Sequence, residues 1–121
     1  MRTLKRAYNI FIFCGIFFAL ISGISYGFIR DGAIRGKSGL SFSNIAYNFD
    51  SLNVTIRNTT KYNVNFGGTM IFLDRHYRVV AKAELMQAKI KRHSSRKYKG
   101  FFSEGSGHEA KSARYLEWEF N

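Results

Sequence analysis

LNVTIRN, residues 52–58, is the stretch that decides the fold class. In an extended chain Leu52, Val54 and Ile56 fall on one side, and Asn53, Thr55 and Arg57 fall on the other. Strand side chains alternate between faces with a period of two, so this pattern is a β-strand with one dry and one wet face. The polar cluster Asn58-Thr59-Thr60-Lys61 then ends the strand in a turn.

Further strands follow toward the C-terminus. Val64–Leu73, VNFGGTMIFL, reads as the next one, with Gly67-Gly68 marking a bulge or a close backbone approach. Residues 74–77, Asp-Arg-His-Tyr, turn the chain into residues 78–85. There Val79, Ala81, Ala83 and Leu85 alternate with Arg78, Lys82 and Glu84. YKGFFS, residues 98–103, is another strand, and the glycine-containing loop EGSGHEAKS follows it. In residues 114–120 Leu116, Trp118 and Phe120 point inward, while Tyr115, Glu117 and Glu119 point outward.

Two segments retain a helical alternative. Val79–Ile90 is rich in helix formers, and Val79, Ala83, Met86 and Ile90 could line a helical stripe. Residues 109–120 can be read similarly. The Val79-Val80 pair and the aromatic-rich end favour strands in both.

Toward the N-terminus, residues 30–39, RDGAIRGKSG, read as a linker into a domain spanning residues 40–121. Before the linker, residues 7–29 form an uncharged run of 23 residues preceded by a basic flank, residues 1–6, that carries Arg2, Lys5 and Arg6. As a helix the run would be about 34 Å long, against a hydrocarbon core of roughly 30 Å. The expectation is a transmembrane helix acting as an uncleaved signal anchor. Tyr8 and Tyr26 lie near its ends, where amphipathic rings prefer the interface. The competing reading is a cleaved signal peptide, whose apolar core is usually shorter, at about 7–15 residues. A short basic N-terminus favours the N-inside orientation, with the domain extracytoplasmic (periplasmic or extracellular).

The totals narrow the class. Nineteen Lys+Arg against eight Asp+Glu give a formal charge of +11, which favours acidic partners. The aromatic content of 17% is that of a folding chain rather than a disordered one. The single cysteine, Cys14, excludes an intrachain disulfide framework and any multi-cysteine metal site.

LNVTIRNTT, MIFLDRHYRVVAKAEL, HSSRKYKGFF and AKSARYLEWEF together resemble the FxLYD-type, immunoglobulin-like β-sandwich modules of bacterial envelope proteins. Phe72, Leu73 and Asp74 stand at the signature position, and Arg75-His76-Tyr77 stands at the hairpin, where a glycine is usual. The resemblance covers residues 50–121. It implies a mainly β protein, with a small antiparallel sandwich after the transmembrane helix. It also implies a domain that presents surfaces and has no catalytic residues to carry over.

The densest charge feature is residues 89–99, with Lys89, Lys91, Arg92, Arg96, Lys97 and Lys99, one histidine and no acid. These six are the candidate partner-binding residues, weighed against a solvated turn whose lysines discourage edge aggregation. Tyr98, Phe101 and Phe102 form a conceivable stacking platform for single-stranded nucleic acid. Asp74 and His76, with His93 and His108, are a weak candidate metal set, and Asp74 is better read as a turn cap. Glu104, His108 and Glu109 share one loop and form a conceivable acid/base group. Asn53-Val54-Thr55 and Asn58-Thr59-Thr60 fit the glycosylation pattern.

The expectation is therefore a non-enzymatic, cofactor-free accessory or assembly protein. It would contact lipid through residues 7–29 and another membrane or envelope protein, or an acidic surface, through residues 89–99. Alternatives are a membrane-tethered nucleic-acid-binding protein and a small secreted protein.

Overall fold

The computed structural model describes residues 27–120, which form one antiparallel sheet of seven strands curled around a single core. The strands are β1 (Gly32–Ala33), β2 (Leu40–Tyr47), β3 (Ser51–Asn58), β4 (Val64–Leu73), β5 (Val79–Ile90), β6 (Ser94–Glu104) and β7 (Tyr115–Phe120). A short helix, α1 (Gly107–Lys111), precedes the last strand. The order across the sheet is β1-β2-β3-β6-β5-β4-β7.

β3 behaves as its alternation dictates. Leu52, Val54 and Ile56 are completely buried, whereas Arg57 on the wet face is exposed. Curling brings the sheet's two flanks together over this dry face. Phe42 of β2 meets Trp118 of β7 at 5.8 Å between ring centroids, and Phe66 of β4 touches Trp118, Phe120 and Tyr98. Such tilted and edge-on pairs add to the burial of large apolar surface.

Val79–Ile90 is a strand because its alanines face bulky partners. Ala81 lies opposite Phe72, Ala83 opposite Met70 and Ala88 opposite Phe66. Small side chains there let the sheet close over the aromatics, so packing overrides the helical propensity of alanine. The bulge falls where the glycine pair sits, between Phe66 and Gly68. A Cβ on Gly67 would lie 2.6 Å from the Gln87 Cα, and one on Gly68 would strike the Glu119 carbonyl oxygen. Residues 109–120 divide between the two readings: α1 takes the first part and β7 the second.

Two expectations need correcting. Residues 30–39 are not a free linker: they carry β1, bury Ile34 and close a turn through the Ile34 N–H to Leu40 carbonyl bond of 3.0 Å. Gly27, Phe28 and Ile29 are not helical, and Ile29 packs on the core, so the expected membrane helix would end before Gly27. The strands form one hydrogen-bonded sheet, continuous through the β5–β6 pairing, whose curl packs one flank against the other. The rest of the expected membrane segment, residues 7–26, lies outside the described residues. Among the described residues no helix is long and apolar enough to cross a membrane.

Antiparallel register gives the sheet two distinct ends. One holds the end of β3, the start of β4, the end of β5 and the start of β6, because Asn58 pairs with Ser94 and Val64 with Ile90. The other holds the 48–50 turn, the 74–78 hairpin, α1 and the incoming chain at Gly27. Seven residue steps along β3, at about 3.3 Å each, put these ends about 23 Å apart.

Candidate functional site

Three loops converge at the first end, and one side chain joins two of them. Asn58 closes β3 and is completely buried. Its Oδ1 accepts from the Thr60 N–H at 2.9 Å and from the Thr60 hydroxyl at 2.6 Å, forming the turn that Asn-Thr-Thr favours. Its Nδ2 donates to the carbonyls of Tyr62 at 2.7 Å, Ile90 at 3.1 Å and Lys91 at 3.4 Å.

Backbone bonds complete the assembly. The Thr59 N–H donates to Gly39 at 2.9 Å, which ties in the 34–39 turn. The His93 N–H donates to Thr60 at 3.2 Å, and the Arg92 N–H donates to the Asn63 Oδ1 at 3.0 Å. His93 takes a left-handed φ of 52° at the tip of the β5–β6 hairpin.

These loops carry an unbroken set of cations. The 34–39 turn brings Arg35 and Lys37, the end of β3 and its loop bring Arg57 and Lys61, and the hairpin brings Lys89, Lys91, Arg92 and Arg96. None of the chain's eight acidic residues falls in segments 34–41, 57–64 or 89–97. An open depression of about 350 Å³ lies between Lys89, Ile90, Lys91, Ser94, Ser95 and Arg96. The Arg96 Nη1 donates to the Lys89 carbonyl at 3.2 Å across it.

The six residues expected from sequence therefore separate into two groups. Lys89, Lys91, Arg92 and Arg96 surround the tip and its depression. Lys97 and Lys99 alternate with buried Tyr98 on β6, opposite Thr55 and Asn53 on the wet face, and Lys99 lies 5.4 Å from the Phe101 ring.

Arg35, Lys37, Arg57 and Lys61 escaped the sequence reading. Arg35 and Lys37 flank Gly36, Arg57 follows Ile56 and Lys61 lies between Thr60 and Tyr62, and only the fold collects them. Their one shared sequence signal is the missing acid neighbour. Arg57 reaches Ser95 at 3.5 Å, Lys37 lies 5.0 Å from the Phe120 ring and Lys61 lies 5.7 Å from the Tyr62 ring.

The other candidates resolve differently. Tyr98 is buried, with its hydroxyl 2.9 Å from the carbonyls of both Phe66 and Ala88. Phe102 packs against Phe72, and Phe101 points outward, so the three rings form no common stacking platform. Asp74 caps its turn: Oδ1 accepts from the N–H groups of His76 at 2.8 Å and Arg78 at 3.0 Å. These bonds, that from Arg78 foremost, hold its carboxyl below the usual range.

Glu109 accepts from the Ser106 hydroxyl at 2.6 Å at the start of α1. Among the described residues no group of three or more His, Cys, Asp or Glu is arranged to hold a metal ion. Asn58 is sealed within the fold, so its sequon is a turn device in the folded protein.

No family model, no curated protein and no solved structure matches this chain.

Proposed function

We propose that the protein is a membrane-anchored accessory or assembly module whose basic sheet end binds an acidic component of the cell envelope. The observation that carries the proposal is the convergence of three mutually bonded loops whose charged side chains are all Lys or Arg. Like charges gathered on one rigid edge create a potential that attracts a polyanion or an acidic protein face. The hydrogen bonds through Asn58 hold the loops before a partner arrives, which lowers the ordering cost of binding.

The anchor in this reading is the uncharged run up to Tyr26. Twenty residues, 7–26, would still span about 30 Å as a helix. Anchoring raises the local concentration of the domain around a membrane-associated partner. The N-inside orientation places the domain outside the cytoplasm. The immunoglobulin-like sandwich is the finer fold reading, supported by the contact of Phe42 on one flank with Trp118 on the other.

The experiment is charge reversal at Lys89, Lys91, Arg92 and Arg96, followed by co-purification from detergent-solubilised membranes. The expected result is loss of the partner with the fold intact. An unchanged set of co-purifying components removes this end of the sheet from the proposal.

A further inference from the structure

Gly27 and Phe28 are already part of the folded domain. A Cβ on Gly27 would sit 3.1 Å from both the Lys111 carbonyl oxygen and the Tyr47 ring, so a side chain there would have to push its neighbours back. The Phe28 N–H donates to that same carbonyl at 3.4 Å, and the Arg114 guanidinium covers the Phe28 ring at 4.7 Å. The uncharged run, residues 7–29, therefore has its last three residues inside the domain. The point of joining lies at the end of the sheet opposite the basic loops.

That entry end carries several of the exposed large apolar side chains, whereas the basic end carries Tyr62. Phe49 in the β2–β3 turn is 80% exposed, Tyr77 in the β4–β5 hairpin 64% and Tyr115 at the start of β7 41%. Tyr77 and Tyr115 stack with ring centroids 4.5 Å apart. Arg75 and Arg78 stand beside them, with Arg78 bonded to Asp74. Aromatic rings with arginines around them suit the headgroup layer, where an amphipathic ring has both an apolar and a wet side.

We infer that the entry end, through Phe49, Tyr77 and Tyr115, seats in the interfacial layer of the same bilayer that holds the N-terminal run. The inference rests on the anchor proposed above. Its consequence is geometric: the basic loops face away from that bilayer, about 23 Å further out along the strands. Their acidic partner is then met across the aqueous space and is not the lipid of the protein's own membrane.

The test uses the full-length chain with Cys14→Ser, reconstituted into phosphatidylcholine vesicles. Single cysteines at Phe49→Cys, Arg75→Cys, Lys61→Cys and Lys91→Cys carry nitroxide labels. Collision rates with oxygen and with a water-soluble nickel chelate are then read. The expected result is flotation with the vesicles and several-fold less nickel contact at positions 49 and 75 than at 61 and 91. Flotation with equal nickel contact at all four positions overturns the seating and leaves the anchor standing. Failure to float overturns the anchor and the seating together.

Discussion

The side-chain amide of Asn58 donates to the carbonyl oxygen of Ile90 at 3.1 Å from a completely buried position, joining the end of β3 to the end of β5. The same amide holds Tyr62, and its oxygen holds Thr60. Asn58→Ala removes one buried and several part-buried hydrogen bonds to the backbone and is expected to cost about 3 kcal/mol. Urea unfolding measures the loss. Amide hydrogen exchange should show the 59–63 and 91–94 loops opening before the core. A change below about 0.5 kcal/mol would contradict the joining role.

The glycine bulge supports a sharper contrast. Gly68→Ala forces a methyl group onto the Glu119 carbonyl and is expected to loosen β7, costing about 2–3 kcal/mol. Gly32→Ala meets only the Phe42 ring, at 3.5 Å, and is expected to be nearly neutral. Thermal unfolding of the two variants side by side decides the matter, and equal midpoints would contradict it.

Strands whose own residues alternate were legible, and strands that depend on their neighbours were not. β3 and β7 announce themselves because apolar and polar residues alternate along them, and β4 does so as an apolar run around a glycine pair. β2 hides its pattern: Leu40 and Phe42 alternate, but Asn44 at a φ of 53° breaks the register, and Ile45 restarts the buried face one residue out of step. The first half of β6 is polar on both faces. It is a strand because eight of its residues pair in unbroken register with β3, a non-local cause invisible in its own composition. The basic site was half legible for the same reason. A dense run such as residues 89–99 is visible in sequence, whereas Arg35 and Lys61 join it only through strand pairing.

Tyr77 holds a left-handed φ of 62° at the hairpin position where a glycine is usual, and its ring stacks on Tyr115 with an interplanar angle of 9°. Backbone strain of about 1 kcal/mol and a stack of about 1 kcal/mol are expected to offset each other. Tyr77→Gly alone should therefore be nearly neutral, whereas in a Tyr115→Ala background it should stabilise by about 1 kcal/mol. Denaturation of the four proteins of this cycle measures the coupling. A strongly destabilised Tyr77→Gly in the Tyr115→Ala background would contradict it.

Burial pushes the Tyr98 phenol from its ordinary 10.0 up to about 12, partly countered by the charge of Arg96. The folded state therefore favours the protonated form. Its contribution is complete below about pH 10 and is lost as pH rises toward about 12. Unfolding midpoints should fall across that window, and Tyr98→Phe should flatten the fall while lowering stability at neutral pH through two lost carbonyl contacts. An unchanged slope in Tyr98→Phe would assign the alkaline loss to other groups.

The three loops are expected to act as one anion-binding surface. The measurement is the affinity of the full-length protein, held in zwitterionic nanodiscs, for polyglutamate over a range of salt concentrations. The wild type is compared with Arg35→Glu/Lys61→Glu and with Lys91→Glu/Arg92→Glu. The expected result is binding that weakens steeply with salt, and comparable losses in the two variants although their loops are far apart in sequence. Full binding by Arg35→Glu/Lys61→Glu, with loss only in Lys91→Glu/Arg92→Glu, would contradict a shared surface.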